Sequence, residues 1–365
     1  MQGLVSVKDA EISGKRVLVR VDFNVPLEVV SGKAVIVDDS RIKSAVPTLT
    51  FLHEKGAAKI ILITHVGRPE GKEVEDLRIA PIAQHLQTLA PYSEIELKEN
   101  LRFDPREEAN DEAFAQELAA LGDIYVNEAF SVSHRADASI VGVPKFLPSY
   151  AGIRFQEEVE RISEALTPPQ PALAIIGGAK FETKQPLLEK LVPQYSEILL
   201  AGALANDLLK ARGLPVGASL ISSGTVPHEL AKDFKIVMPT DVVVAVDSTA
   251  RMTNTGDVRQ NERIVDIGDK TTTEWGEKVR KAAFVLWNGP TGVYEKGFVK
   301  ATDALAEILT SASCRALIGG GDTGAALSKF SFDPARVFIS TGGGAMLQLL
   351  ADGTLPGIEA LKRKA

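Results

Sequence analysis

ALAIIGGAKFETKQPLLEKLVPQ, residues 172–194, decides the fold. Five apolar residues lead straight into two glycines. A segment of helical length follows, with leucines at helical spacing. A continuous apolar run of this length, rather than an alternating one, is expected of a strand buried on both faces of a parallel sheet. The glycines then give a tight turn from strand to helix. The same unit recurs along the chain. Further strands are expected at RVLVRV (16–21), AKIILIT (58–64), DIYVN (123–127), EILLA (197–201), DVVVAV (241–246), AAFVLW (282–287), RALIG (315–319) and RVFIS (336–340). Between them lie helical stretches such as 44–56, 107–122, 203–213 and 300–312. Strand–helix alternation of this kind implies an α/β fold with parallel sheets.

With 365 residues the chain is long for one core, so two domains are expected. RFQEEVERISEAL (154–166) reads as a charged amphipathic helix, and the prolines of TPPQP (167–171) end it. The expected division is a first domain over 1–152, a connecting helix and linker over 153–170, and a second domain over 171–345. Both domains are expected to be Rossmann-like.

The two halves differ in chemistry. The first carries arginines in short polar segments beside apolar runs: VRVDFNVP (19–26), DDSRI (38–42), THVGRP (64–69), ENLRF (99–103) and SHRADAS (133–139). These supply Arg20, Arg41, Arg68, Arg102 and Arg135, with His65 and His134. The planar guanidinium donates two parallel hydrogen bonds to phosphate or carboxylate, so the set suits a small, multiply charged anion. The second half carries glycine clusters after strands: IIGGAKFETK (175–184), LAGALAND (200–207), LWNGPTGVYE (286–295), LIGGGDTG (317–324) and ISTGGGAM (339–346). Glycine there lets the backbone approach a phosphate or a flat base, which points to a nucleotide.

Composition narrows the class further. Lys and Arg total 41 against 48 Asp and Glu, a formal charge of −7, so a general nucleic-acid surface is not expected. One cysteine, Cys314, allows no disulfide within the chain. The first residues lack the apolar stretch of a signal peptide, and no apolar run suggests a membrane span. A cytoplasmic enzyme is expected. Gly319, Gly321 and Gly324 fit G-x-G-x-x-G, but the next strand ends in Ser340, Thr341 and glycines rather than an acidic residue, against a dinucleotide. No Walker A, HExxH, CxxC or G-x-S-x-G motif occurs.

Together VRVDFNVP, THVGRP, ENLRF, YVNEAF, HRADAS, GGAK, WNGPTGVYE, IGGGDT and STGGGA resemble, in order and over essentially the whole chain, the signature segments of the phosphoglycerate kinase family. The resemblance implies reversible phosphoryl transfer from 1,3-bisphosphoglycerate to ADP, giving 3-phosphoglycerate and ATP in glycolysis and gluconeogenesis. It also implies a two-lobed, hinge-bending enzyme acting on small molecules, expected to be a monomer. The acid would bind the first domain and Mg²⁺-nucleotide the second, with residues 346–365 returning to the first.

By motif, Asp22 and Asn24 would meet the hydroxyl and carboxyl end of the glycerate. Arg41, His65, Arg68, Arg102 and Arg135 would hold its phosphate and carboxylate, with Arg20 and His134 extending the basic patch. Lys184 would hold nucleotide phosphate and Glu295 the ribose. Gly177, Gly178 and Gly202 would flank the adenine, with Asn288 and Pro290 nearby. Gly320, Gly321, Asp322 and Thr323 would form the phosphate loop, with Asp322 on Mg²⁺. Lys180, with Arg41, would act on the moving phosphoryl group. The chain departs from the family at Glu128 and Ser131 (EAFS where DAFG is usual) and at Asp137 (usually histidine). Asp137 is expected either to weaken anion capture or to pair with Arg135 or Arg20. A divergent relative that phosphorylates another carboxylic or phosphorylated acid is the alternative.

Overall fold

In the computed structural model, which describes residues 3–30, 33–247 and 249–362, the apolar runs become the cores of two parallel sheets. The chain divides into one unit up to Glu160, joined by the stretch from Thr354, and a second unit over Arg161–Gly353.

The first unit contains β1 (Arg16–Arg20), β2 (Leu27–Val30), β3 (Lys33–Ile36), α1 (Ser40–Glu54), β4 (Lys59–Ile63), α2 (Ala80–Leu89), β5 (Ile95–Leu97), α3 (Glu112–Ala119), β6 (Ile124–Asn127) and β7 (Ser149–Ala151). Its sheet has the order β5-β4-β1-β6-β7, with every pairing parallel. Val17, Leu18 and Val19 of β1 are wholly buried, as a strand covered on both faces must be. From β1 the chain crosses first to β4 on one side and later to β6 on the other. In open α/β sheets such a reversal leaves a crevice at the carboxyl ends of the strands. The segments after β1, β4, β5 and β6 are those that carry the arginine motifs.

α4 (Ile153–Leu166) spans the division between the units, and its first turn is anchored in the first. Glu128, just after β6, accepts hydrogen bonds from Arg154 N at 3.1 Å, Phe155 N at 3.3 Å and Thr48 Oγ1 at 2.6 Å. It therefore satisfies amides that the helix start leaves unpaired. Burial pushes its pKa up to about 7 despite those donors. A carboxyl group raised from its ordinary value stabilises the fold fully below that value, and the contribution is lost as pH rises through about 7. Integrated over the shift, the loss is on the order of 3 kcal/mol. Glu128→Gln, which cannot ionise, should therefore gain melting temperature relative to the parent more at pH 8 than at pH 5. An equal difference at both pH values would contradict this.

The second unit contains β8 (Ala172–Ile176), α5 (Phe181–Leu191), β9 (Glu197–Leu200), α6 (Gly202–Ala211), α7 (His228–Lys232), β10 (Ile236–Val237), β11 (Asp241–Val246), β12 (Thr249–Asn254), β13 (Arg263–Ile267), α8 (Asp269–Lys281), β14 (Phe284–Asn288), α9 (Lys300–Ser311), β15 (Arg315–Gly319), α10 (Gly321–Leu327), β16 (Val337–Ile339) and α11 (Gly344–Asp352). Its parallel sheet runs β10-β9-β8-β14-β15-β16, so its reversal lies between β8 and β14. Trp275 and Trp287 are both buried in its core.

DVVVAV does not join this sheet. As β11 it pairs antiparallel with β12 and β13 in a separate three-stranded sheet. Its burial is interrupted, and β12 is largely exposed, so this sheet is covered on one face only. Residues 346–353, expected with the returning C-terminus, belong to the second unit through Met346, Leu349 and Leu350, which are buried. The return begins at Thr354 and forms α12 (Pro356–Leu361). There Gly357 N donates to Ser133 O at 2.9 Å. A Cβ at Gly357 would lie 2.7 Å from the Ser133 side chain, so the approach requires glycine.

Candidate active site

Arg20, at the end of β1, is completely buried. Its guanidinium donates to Ser139 Oγ at 2.8 Å, Val21 O at 2.6 Å and His65 Nδ1 at 3.1 Å. Ser139 in turn donates to Glu107 Oε1 at 2.5 Å, linking the buried cation to a buried carboxyl group. A guanidinium has no acceptor, so His65 Nδ1 must accept and its proton resides on Nε2. Burial, together with Arg20, Arg102, Arg135 and Arg41, holds the His65 pKa well below the usual imidazole range. His65 was expected to hold substrate charge. Its ring is 2% exposed and hydrogen-bonded to Arg20, with the Nε2 proton left to donate.

Arg102 is a buried cation whose hydrogen-bonding capacity is only partly met. Its side chain is 4% exposed. Nη1 donates to Gly67 O at 2.9 Å, but Nε and Nη2 are buried with no hydrogen-bond partner. Glu108 Oε1 lies 3.3 Å from Nε, and Asp137 Oδ2 lies 4.0 Å from Nη2. Such groups cost free energy until an acceptor meets them. Asp137 is also buried, and burial raises its pKa against the pull of Arg20, Arg102 and Arg135. Its nearest ion-pair partner is thus Arg102 rather than Arg135 or Arg20.

Around this centre, Arg41 pairs with Asp22, which also accepts from Ser131 Oγ. Asp22 Oδ1 takes the Asn24 amide at 3.1 Å, and Asn24 Oδ1 takes the Gly67 amide at 2.9 Å. Ser131 thereby helps to fix Asp22. Arg135 is partly exposed and 3.8 Å from Glu108. Arg68 is exposed and makes no ion pair or side-chain hydrogen bond among the described residues. Half-buried His134 has its pKa lowered by burial and by Arg135.

In the second unit, a cleft of about 250 Å³ opens near the carboxyl ends of β8 and β14. Gly178, Gly202, Pro290, Glu295 and Asp322 line it, all anticipated from sequence. Gly202 has φ +59°, and a Cβ there would lie 2.8 Å from Gly178 N. Gly177, Asn288, Gly320, Gly321 and Thr323 are not on the wall. Gly177 packs against Pro290 O, where a Cβ would lie 2.1 Å away. Asn288 Nδ2 donates to Gly319 O at 2.7 Å, and Thr323 Oγ1 accepts from Gly289 N at 2.7 Å, tying the ends of β14 and β15 together.

Lys184 Nζ donates to Asn288 Oδ1 and has no carboxylate partner among the described residues. Burial lowers its pKa to about 8. Lys180 stands just before α5 in the left-handed region, with φ +66°. Its side chain is exposed, and it too lacks an ion pair among the described residues.

Among the lining residues that were not anticipated are the polar Asn206, Asp266 and Thr291. Asn206 lies on α6, and Asp266 on β13 accepts Thr291 Oγ1 and Ile267 N, both at 2.9 Å. Burial pushes the Asp266 pKa up to about 6. A carboxylate set among Ile264, Val265 and Ile267 was the available signal.

This geometry can be set beside known proteins. The sequence matches the profile of the family described as Phosphoglycerate kinase over residues 7–97 and 90–353. It is 42% identical over 394 residues to a phosphoglycerate kinase of Herpetosiphon aurantiacus, covering 98% of this chain and 99% of the relative. It is 39% identical over 395 residues to that of Moorella thermoacetica, covering 99% of each. The solved phosphoglycerate kinase of Coxiella burnetii superposes with a TM-score of 0.87 at 35% identity, over 98% of each chain. That of Pyrococcus horikoshii gives 0.83 at 26%, again over 98% of each. An arginine cluster in one unit, a glycine-walled cleft in the other and likeness along the full length lead to one conclusion: the chain belongs to the phosphoglycerate kinase family and is a phosphotransferase.

Proposed function

We propose that Arg41, Arg68, Arg102 and Arg135, with Asp22 and Asn24, bind 3-phosphoglycerate, while Lys184, Glu295 and the glycine turns bind the nucleotide. The observation that supports this best is a cation in each unit with no acidic hydrogen-bond partner among the described residues: buried Arg102, with two orphaned N–H-bearing nitrogens, and part-buried Lys184. Each is costly in the free protein and is satisfied by an anionic ligand.

The acid's carboxylate is ionised at neutral pH, so the reaction needs no general base. A carboxylate oxygen attacks the γ-phosphorus of ATP. The bond from phosphorus to the β,γ-bridging oxygen breaks, and its electron pair stays on ADP. No proton moves. What remains for the protein is alignment and charge stabilisation. Arg102 and Arg135 fix the acid, Ser131 and Arg41 hold Asp22 in register, and Lys180 offers its ammonium to the moving PO₃. Asp322 lines the cleft, and its carboxylate is free of partners among the described residues, which leaves its hard oxygens available to Mg²⁺. When bound there beside nucleotide phosphates, Mg²⁺ would neutralise part of their charge. The acidic balance and single cysteine favour a cytoplasmic enzyme for small molecules. We assign it as a monomer. No helix among the described residues is long and apolar enough to cross a membrane.

The division of binding is open to test. Arg68→Ala removes an exposed guanidinium from the acid's side alone. It should raise the KM for 3-phosphoglycerate about tenfold or more, the scale of one charge-assisted hydrogen bond. The KM for ATP should stay within about twofold. Equal rises in both constants would contradict the two-site assignment.

A further inference from the structure

We propose that Ser222, oriented by Asp207, is a positioning residue for Lys180; the inference rests on the role given to Lys180 above. Lys180 occupies φ +66°, ψ +76°, where a residue with a side chain is strained. Such a conformation persists only when its surroundings over-determine it. The angle ψ of Lys180 sets the plane of the Lys180–Phe181 peptide, and both faces of that peptide are held. Its carbonyl accepts from Thr183 N at 3.1 Å and Thr183 Oγ1 at 2.8 Å. Its N–H donates to Ser222 Oγ at 2.8 Å.

Ser222 comes from far along the chain, and its direction is fixed in turn. Having accepted from Phe181 N, the hydroxyl gives its own proton to Asp207 Oδ2 at 2.8 Å, while Asp207 Oδ1 takes the Ser222 amide at 2.7 Å. Asp207 is 7% exposed on α6, a wall element of the nucleotide cleft. The contact continues beyond the relay, because Gly224 N and Ser223 Oγ donate to Glu182 Oε1 at 2.5 and 3.2 Å. The strand-to-helix turn that carries Lys180 is thereby clamped from outside its own segment. Without the Ser222 hydroxyl, ψ is free to relax. The ammonium, at the end of a four-carbon stem, then loses its aim. Binding groups elsewhere in the cleft are left in place, so the loss should fall on turnover.

A double-mutant cycle tests this. Ser222→Ala should lower kcat about tenfold and leave both KM values within about twofold, while Ser222→Thr, which keeps the hydroxyl, should stay within about threefold of the parent. Asp207→Asn, which keeps the shape but not both acceptors, should show the same loss confined to kcat. Introduced into Lys180→Ala, Ser222→Ala should cost less than about twofold, because the group it positions is gone. An equal loss in both backgrounds would show that Ser222 acts independently of Lys180, and no loss in the parent background would show that it does not act at all. Either result overturns the inference. A parental rate for Lys180→Ala alone would overturn the assignment of Lys180 itself.

Discussion

Lys180→Ala is expected to lower kcat by about 100-fold or more, the scale of removing one preorganised electrostatic group from a transition state. Both KM values should change by less than about threefold. Lys180 is exposed, without an ion pair among the described residues, and held in a strained turn rather than packed against a carboxylate. Its ammonium therefore has no stabilising partner to lose in the free protein, and the melting temperature should hardly move. The damage appears only when PO₃ is in flight between the two oxygens. Steady-state kinetics at saturating ligands check this. A variant with the parental turnover number, or one whose loss lies wholly in KM, would rule out the transition-state role.

Lys184→Met should divide stability from function. The Lys184 ammonium is largely buried, hydrogen-bonded to Asn288 and without a carboxylate, and its pKa falls to about 8. A base whose pKa is lowered on folding gives stability that is fully present above its ordinary value and lost as pH falls through about 8. At pH 7 the cost, reduced for partial exposure, is on the order of 2 kcal/mol. Methionine has a similar stem and no charge. The free variant should melt a few degrees higher at pH 7, with the gain shrinking towards pH 10. Its kcat/KM for ATP should nevertheless fall by about 100-fold or more, the loss of a charged phosphate contact in a desolvated site. ADP should then raise the melting temperature of the parent and barely that of the variant. A variant both less stable and fully active would mean that Lys184 serves the fold and not the nucleotide.

Much of this was legible in the sequence, for identifiable reasons. ALAII and KIILI read as buried parallel strands because an unbroken apolar run has few other homes. The arginine segments and the glycine-rich turns stood out because each follows such a run, whereas the roles expected of Lys184 and Asp322 came from the family resemblance. DVVVAV misled because its composition matches a core strand, while its pairing is decided by β12 and β13, which its own residues do not reveal. The short strands β5 (IEL) and β7 (SYA) carry too few residues for a period.

The state of the site residues was harder to read than their identity. His65 was legible as a polar residue of the site, but its hydrogen bond to Arg20 and its lowered pKa come from packing that the sequence does not show. Ser222 and Phe181 lie 41 positions apart, Asp207 and Ser222 15, and Asp266 and Thr291 25, so no local pattern could have joined them. Glu128 and Ser131 stood out only as departures from a motif. Their contacts explain them as a cap for α4 and a brace for Asp22.

The most direct measurement is a coupled assay of ADP formation from Mg-ATP, with 3-phosphoglycerate compared against unphosphorylated glycerate, 2-phosphoglycerate and simple carboxylates. Turnover with 3-phosphoglycerate should fall in the ordinary enzymatic range of about 1 to 10³ per second. The other acids, which leave buried guanidinium groups unmet, should give kcat/KM values at least about 100-fold lower. Comparable turnover of another acid, or none with 3-phosphoglycerate, would contradict the assignment of the arginine site.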